Sequence, residues 1–336
     1  MDIEKILFEL CDDLAGGSYV PVWNKARNLL NFFSPAKTDA LGNLRATRPG
    51  ELPMHILLEA HLDEIGLVVT EVDEHGFLRV AKCGGVDLRV LPGARMLILA
   101  DKPLPGVVCV MPPHLSAESE KLSIDDIYID TGLGEKAKSR VSPGTVVVHN
   151  QRPKRLATGL LTAKSLDNRV GGAAVLYALE LLVSSKKPLP TITVLLSNHE
   201  ELGNRGAQTG SFDIKSDMAV CIDATFGCDK NVTSVKSGEL GQGPMIGIAP
   251  VLSRLLSDKM MKIAGRHNIK YQLEIMANGT GTNAETLAMT GEGLYSTLLS
   301  IPIKNMHTAV EVVDEEDIEN TAKLLFSFVM EAKNEN

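Results

Sequence analysis

The run Thr191-Ile192-Thr193-Val194-Leu195-Leu196 leads without a break into Ser197-Asn198-His199-Glu200-Glu201-Leu202-Gly203. A short apolar, β-branched run bounded by turn residues reads as a strand buried on both faces. Two adjacent carboxylates stand where that strand ends. Neighbouring carboxylates repel one another and are costly to desolvate. They are tolerated together when a cation neutralises one and the other has a chemical task. The stretch therefore poses two questions: whether the chain builds a sheet of such strands, and whether it gathers a cation at their ends.

Upstream, Leu166 to Ser184 carries a long helical pattern, broken by Lys186-Lys187-Pro188-Leu189-Pro190. Downstream come a short helix at 206–210, the strand Met218 to Asp223, and a helix over 251–267. A strand at 271–276, a short helix at 285–290 and a core strand at 296–302 follow. A terminal helix spans 314–332, with Asp314 as N-cap and Asp317 at the third helical position. Near the N-terminus, residues 2–15 and 20–34 read as helices, and Asp39-Ala40-Leu41-Gly42-Asn43 reads as a turn before a short strand. Met54 to Ala60 is a strand that runs into His61-Leu62-Asp63-Glu64. Apolar strands separated by helices predict an α/β fold, a mostly parallel sheet sandwiched by helices.

From Ile65 the rhythm changes. GLVVTEV, FLRVAK, MLILA, GVVCVM, DIYID and TVVVHN alternate with turn residues as far as Arg155, with no convincing helix. This predicts an inserted barrel-like or sandwich-like β domain at 65–156, interrupting one α/β domain made of 1–64 and 157–336.

Composition narrows the class. The 336 residues are 44% hydrophobic and 23% charged, ordinary for a globular protein with a sizeable core. A net charge of −8 argues against nucleic-acid or anionic-membrane partners, which reward clustered Lys and Arg. The five cysteines are odd in number and form no C-x-x-C pair, so they predict buried small side chains in a reducing compartment. MDIEKILFEL lacks the basic start of a signal peptide, and the chain is expected in the cytoplasm.

The His and carboxylate residues collect where ligands bind in open α/β sheets, beyond the carboxyl ends of the strands. His61 and Asp63 follow the first strand, Glu200 and Glu201 follow Leu196, Asp223 closes its strand, and His307 follows the last strand; Asp167 opens the long helix. Each has an ordinary structural reading alone: a satisfied imidazole, an N-cap, a turn acid, a solvated loop pair. Together they suit divalent ions of borderline hardness without thiolates. Two His and three carboxylates, one of them shared, would hold two ions and leave one acid to move protons. Such a site polarises a carbonyl and holds a hydroxide nucleophile. His199 reads as a loop residue rather than a ligand. Two G-x-G-x-x-A matches, at 132–137 and 279–284, lack the context of a dinucleotide site. A glycosidase is disfavoured: adjacent acids do not form an opposed pair, and aromatics make up only 4%.

HLDEIG (61–66), SLDNRVGG (165–172), EELGNRGA (200–207), CIDAT (221–225) and NMHTAVEVV (305–313) resemble the M42 family of metallo-aminopeptidases, the glutamyl and TET-like enzymes. DALGNL (39–44) and MPPH (111–114) fit as well. The resemblance implies an α/β peptidase domain with an inserted dimerisation domain. It implies His61, Asp167 and Asp223 on one metal and Asp167, Glu201 and His307 on the other. Glu200 would be the general base and acid, and Asp63 would orient His61. It further implies two divalent ions per subunit, zinc or else cobalt, and a dimer building block able to form a tetrahedral dodecamer. Substrates would be peptides with a free N-terminus; small acylated amino acids, cleaved by a related dinuclear amidohydrolase, are the alternative. Two positions depart from the pattern: Asn283, where the family usually has Asp, and Thr308-Ala309, where it has Ser-Pro.

Overall fold

The computed structural model describes residues 2–14, 20–112, 114, 122–228 and 237–332. They form two compact units: 1–63, 153–306 and 311–336 in the first, and 64–152 with 307–310 in the second.

The first unit begins with α1 (Ile3–Cys11) and α2 (Val22–Leu30). Both are shorter than their apolar spacing predicts. Asp2 caps α1 by accepting from Lys5 N, and Asp12 ends it in an extended conformation. Strands β1 (Lys37–Thr38), β2 (Leu44–Arg48) and β3 (Leu52–His61) follow. The second unit then supplies β4 (Gly66–Val72), β5 (Leu78–Cys83), β6 (Arg95–Ile98), β7 (Leu104–Cys109), β8 (Tyr128–Asp130) and β9 (Val146–His149). These six strands close in the order β4-β5-β8-β7-β6-β9, every pairing antiparallel. Alternate residues such as Leu67, Val69, Leu78, Val80, Met96, Ile98, Val108 and Ile129 fill the interior, as the period of two requires. Gly66 lets β4 approach β9: a Cβ there would lie 2.6 Å from the Val147 carbonyl oxygen.

The chain returns to the first unit through β10 (Lys154–Arg155), β11 (Leu161–Ala163), α3 (Leu166–Ser184), β12 (Pro190–Ser197), α4 (Arg205–Ser211) and β13 (Met218–Phe226). It finishes with β14 (Met245–Ile248), α5 (Arg254–Arg266), β15 (Gln272–Ile275), α6 (Asn283–Ala288), β16 (Tyr295–Ile303), β17 (Glu311–Val313) and α7 (Glu315–Met330). Eight strands make one sheet in the order β1-β2-β12-β3-β13-β16-β14-β15. Its centre, β12-β3-β13-β16, is parallel throughout. The sheet is covered on both faces. Ile56, Leu58 and Ala60 of β3 face the core shared with α1, α3 and α7, while Leu57 faces the smaller core of α4 and α6. Asp314 caps α7 by accepting from Glu316 N.

Among the described residues five strands were not anticipated: β1 and β10, of two residues each, and β11, β14 and β17. β14 lies in a Gly-Pro-rich stretch, and β11 and β17 are three residues each, too short to show a period. Asp223 does not close β13; the strand continues to Phe226. Two of the five cysteines, Cys11 and Cys221, are buried and the other three only partly so. A buried charge cluster ties α1 to α3: Asp13 faces Lys164 Nζ at 2.6 Å and the Arg169 guanidinium at 3.5 Å, and the same guanidinium donates to Leu10 O at 2.8 Å. Among the described residues no helix is long and apolar enough to cross a membrane.

Candidate metal centre

Parallel strands bring their carboxyl ends to one edge. Ser197, the last residue of β12, is level with His61, the last of β3. The loop beyond β12 is held by a rack of hydrogen bonds. Asn43 Oδ1 accepts from Asn198 N at 2.8 Å, and Asn43 Nδ2 donates to Asp39 Oδ2 at 2.6 Å and to the Gly206 carbonyl at 3.1 Å. Asn198 Nδ2 donates to Leu41 O at 2.8 Å. His199 takes a left-handed backbone (φ 59°), which turns the chain so that Glu200 and Glu201 present their N–H groups to Asp63. Asp63 accepts from Glu200 N at 3.1 Å and from Glu201 N at 3.3 Å. It thus fixes the acidic loop as well as standing beside His61.

His61 is buried, and its Nε2 faces three carboxylates: Asp167 Oδ1 at 3.3 Å, Asp223 Oδ1 at 3.4 Å and Glu200 Oε2 at 3.8 Å. Its Nδ1 stands 3.4 Å from Asp63 Oδ1 and has no closer partner. One proton on Nε2 cannot serve three acids. A tetrahedral ion bound at about 2.0–2.1 Å sets its ligand atoms about 3.3 Å apart, which matches the spacing from His61 Nε2 to Asp167 and Asp223. Asp167 departs from helical geometry at the start of α3, and Glu311 Oε2 accepts its N–H at 3.1 Å. Asp167 and Glu201 each offer a carboxylate oxygen, the two within 4.8 Å of one another.

The electrostatics describe a site in need of positive charge. Burial drives the Glu200 carboxyl up to about 8; His61 opposes this, and the acids Asp223, Glu201 and Asp167 add to it. Burial, and then Asp167, raise Asp223 to about 6 against the pull of His61. Burial alone would lower His61, but Asp223, followed by hydrogen bonds with Asp167, Asp223 and Asp63, holds it well above its usual value. For Asp63, burial is outweighed by His61 and the two loop N–H groups, and its carboxyl lies low. A cation among these acids would relieve the repulsion that raises them.

His307 belongs to the second unit, on a turn after β16, with a left-handed backbone (φ 62°). Its Nδ1 lies 3.2 Å from the Gly85 carbonyl. With Nδ1–H donating there, Nε2 carries the lone pair, the arrangement of a metal-binding imidazole. Gly85 leaves room for this ring: a Cβ would meet His307 Nδ1 at 2.7 Å, so the imidazole would have to shift.

Residues 42–324 match the family described as M42 glutamyl aminopeptidase. The chain belongs to this family. Like its family, this M42 member is a hydrolase acting on peptide bonds. It is 32% identical over 305 residues to the lysyl aminopeptidase of Pyrococcus furiosus, covering 88% of this chain and 87% of that one. The aminopeptidase of the archaeon Desulfurococcus kamchatkensis superposes with a TM-score of 0.89 at 29% identity, covering 98% of this chain and 95% of that one. The TET1 peptidase of Pyrococcus horikoshii gives 0.83 at 29% identity, covering 95% and 99%; it is described as assembling into a tetrahedron or a large octahedral shell.

Sequence reasoning missed several residues of this M42 site. Glu311, which holds the Asp167 N–H, sits in a short strand with no periodicity. Glu59 lies fully buried beneath His61, and burial pushes it up to about 7, with hydrogen bonds from Ser197 and Cys221 opposing and Asp223 adding. Its signal was present as a single acid inside the apolar run MHILLEA. Of MPPH (111–114), Pro113 lies outside the described residues.

Proposed function

We propose that the chain is a dinuclear-metal aminopeptidase that removes N-terminal residues from peptides. One divalent ion would be held by His61, Asp167 and Asp223, and the other by Asp167, Glu201 and His307, with Asp167 shared between them. Zinc suits the mixed imidazole and carboxylate donors, with cobalt as a substitute. When bound, the ions supply Lewis-acid polarisation of the scissile carbonyl and acidify a water. Glu200, whose Oε2 lies 3.8 Å from His61 Nε2, would accept the proton of the attacking water and pass it to the leaving amine. Asp63 orients His61 and anchors the Glu200–Glu201 loop. The buried side chains around His61 exclude bulk water from the proton path.

The observation that supports this reading most directly is the ring of acids around His61 Nε2 at the spacing of a tetrahedral ion. The domain proposal is a catalytic domain of residues 1–64 and 157–336, with the barrel at 65–156 serving dimerisation. The TET neighbours support a homo-oligomer built from such dimers, up to a tetrahedral shell. We place the enzyme in the cytoplasm.

Glu200→Gln should abolish hydrolysis of aminoacyl reporter substrates while two metals per chain are retained; near-wild-type turnover would sink the assignment of Glu200. Asp167→Ala should lose both ions, and a metal content of two per chain would refute the bridge. Cleavage of N-acylated amino acids, with no cleavage of free-amine peptides, would move the enzyme to the amidohydrolases.

A further inference from the structure

Asn168 follows Asp167 at the break near the start of α3 and is completely buried. Both residues leave helical geometry, with φ −77° and ψ 107° at Asp167 and φ −119° and ψ 44° at Asn168. Side chains take over where the regular helix bonds are interrupted. Glu311 Oε2 accepts from Asp167 N at 3.1 Å. Asn168 Oδ1 accepts from Gly171 N at 3.1 Å, and Asn168 Nδ2 donates to the Ile222 carbonyl at 2.7 Å. The partners fix the orientation of this amide, because an N–H can only donate and a carbonyl can only accept.

The two bonds of Asn168 do different things. The first is a helix N-cap, a side-chain oxygen taking the N–H three residues on, and it restarts the regular part of α3 at Arg169. A Ser or a Thr would serve there equally. The second leaves the helix and reaches β13, at the carbonyl immediately before Asp223. Of the usual cap residues, only Asn carries an acceptor and a donor on two separate atoms. The fit is close: a Cβ on Gly171 would lie 2.4 Å from Asn168 Oδ1 and 2.9 Å from Ile222 O. The glycine leaves the space in which the amide bonds to β13.

Asp167 and Asp223 are the carboxylates that lie 3.3 and 3.4 Å from His61 Nε2. They stand on different elements, α3 and β13, and like charges push them apart. Asn168 joins the two backbones at the points that matter: it is adjacent to Asp167 in the chain and is bonded to the peptide group adjacent to Asp223. We propose that Asn168 is a positioning residue that sets the separation of Asp167 and Asp223, and with it the geometry of the cation site they form with His61. Both ends of its amide are engaged by backbone groups, so it acts through its neighbours and not as a ligand. The inference rests on the reading of His61, Asp167 and Asp223 as ligands of one ion.

The test compares two variants of the full-length chain. Asn168→Ser keeps the cap and loses the reach to Ile222; Asn168→Ala loses both. Zinc affinity is read by competition with a chromophoric chelator, and coordination geometry by the visible absorption of the cobalt-loaded protein. The melting temperature of the metal-free protein is read alongside. Asn168→Ser should weaken zinc binding about tenfold or more, the usual cost of losing a group that supports a metal ligand, and should alter the cobalt absorption. Its metal-free melting temperature should lie closer to wild type than that of Asn168→Ala, which also loses the cap. A capping role alone gives a different pattern: Asn168→Ala melts lower, while the zinc affinity and cobalt absorption of Asn168→Ser stay at wild type. That result overturns the proposal. Should Asn168→Ser fail to fold, Asn168→Thr is nearer in volume and still a cap, and wild-type zinc affinity in that variant is equally decisive. A wild-type chain that binds no divalent metal refutes the metal centre itself, whereas wild-type binding left unaltered in Asn168→Ser refutes this inference alone.

Discussion

Gly206→Ala should disable the enzyme from outside the metal centre. Gly206 is the second residue of α4, and a Cβ there would lie 1.8 Å from the Asn198 carbonyl oxygen and 2.4 Å from Asn43 Oδ1. Ordinary contact begins near 3.4 Å, so one side must move by roughly 1.6 Å, and the nearest obstacle is backbone. That movement strains the Asn43 bonds to Asn198 N and to the Gly206 carbonyl. At about 0.5–1.5 kcal/mol each, two such bonds amount to roughly 1–3 kcal/mol. The larger effect is on catalysis. Asn198 is two residues before Glu200, and a misplacement of about 1 Å in a catalytic group can cost on the order of 100-fold in rate. The assay is kcat/KM on an aminoacyl reporter substrate together with a thermal melt. Gly265→Ala is the control, because a Cβ at that position in α5 meets nothing within 4 Å; it should be neutral or stabilising by roughly 1 kcal/mol. Activity of Gly206→Ala within twofold of wild type, with an unchanged melting temperature, would refute the argument that this backbone contact positions the acidic loop.

Metal removal should invert the dependence of stability on pH. Without a cation, Asp223 and Glu200 are raised to about 6 and about 8 from ordinary values of 3.8 and 4.5, and His61 is also raised. Each holds its proton more tightly folded than unfolded, so the stability the two acids lend is complete below about pH 4 and lost as pH rises through their folded values. Chelator-treated protein should therefore unfold at lower urea at pH 8.5 than at pH 5.5, and saturating zinc should remove the difference; equal midpoints without metal contradict the crowding of acids. Gly85→Ala forces His307 aside and should reduce metal content from two ions to one per chain, as read by elemental analysis of the purified protein. Asp13→Ala removes the carboxylate that faces the buried Lys164 and Arg169 and should cost roughly 1.5–3 kcal/mol of stability, against which an unchanged urea-denaturation midpoint would count.

The α/β layering was legible because its strands are long and apolar and its helices amphipathic. The span of α3 was predicted from its long apolar pattern, but not the break at Asp167 and Asn168, where the backbone leaves helical geometry. All six barrel strands were legible from alternation bounded by turns. What escaped was short or context-bound. β11 and β17 owe their extension to pairing with each other, Leu161 opposite Val313, and nothing local calls for it. The end of β13 was misplaced because Asp223, an acid, looks like a terminus; in the fold its charge is met by His61, and the strand runs on beside β16 to Phe226. The site residues were visible as acids and imidazoles at strand ends, and structure brings His61, Asp63, Asp167, Glu200 and Asp223 within a few ångströms. The support beneath them was hidden, because a Glu, a Ser, a Cys and an Asn drawn from four separate elements have no common pattern in one dimension.

The order of the strands also sets a timetable for synthesis. β3 is finished at His61, yet its neighbours β12 and β13 begin only at Pro190 and Met218. At about 5–20 residues per second on the ribosome, the gap of roughly 130 residues to β12 lasts on the order of 6–26 s. During that interval the barrel strands, all drawn from 66–149, can emerge and close among themselves, while one of the most apolar strands of the sheet waits for partners. The barrel strands can therefore pair before β3 has a partner, although residues 307–310 of the second unit are made only later, a window in which faulty pairing of β3 with another chain would be decided.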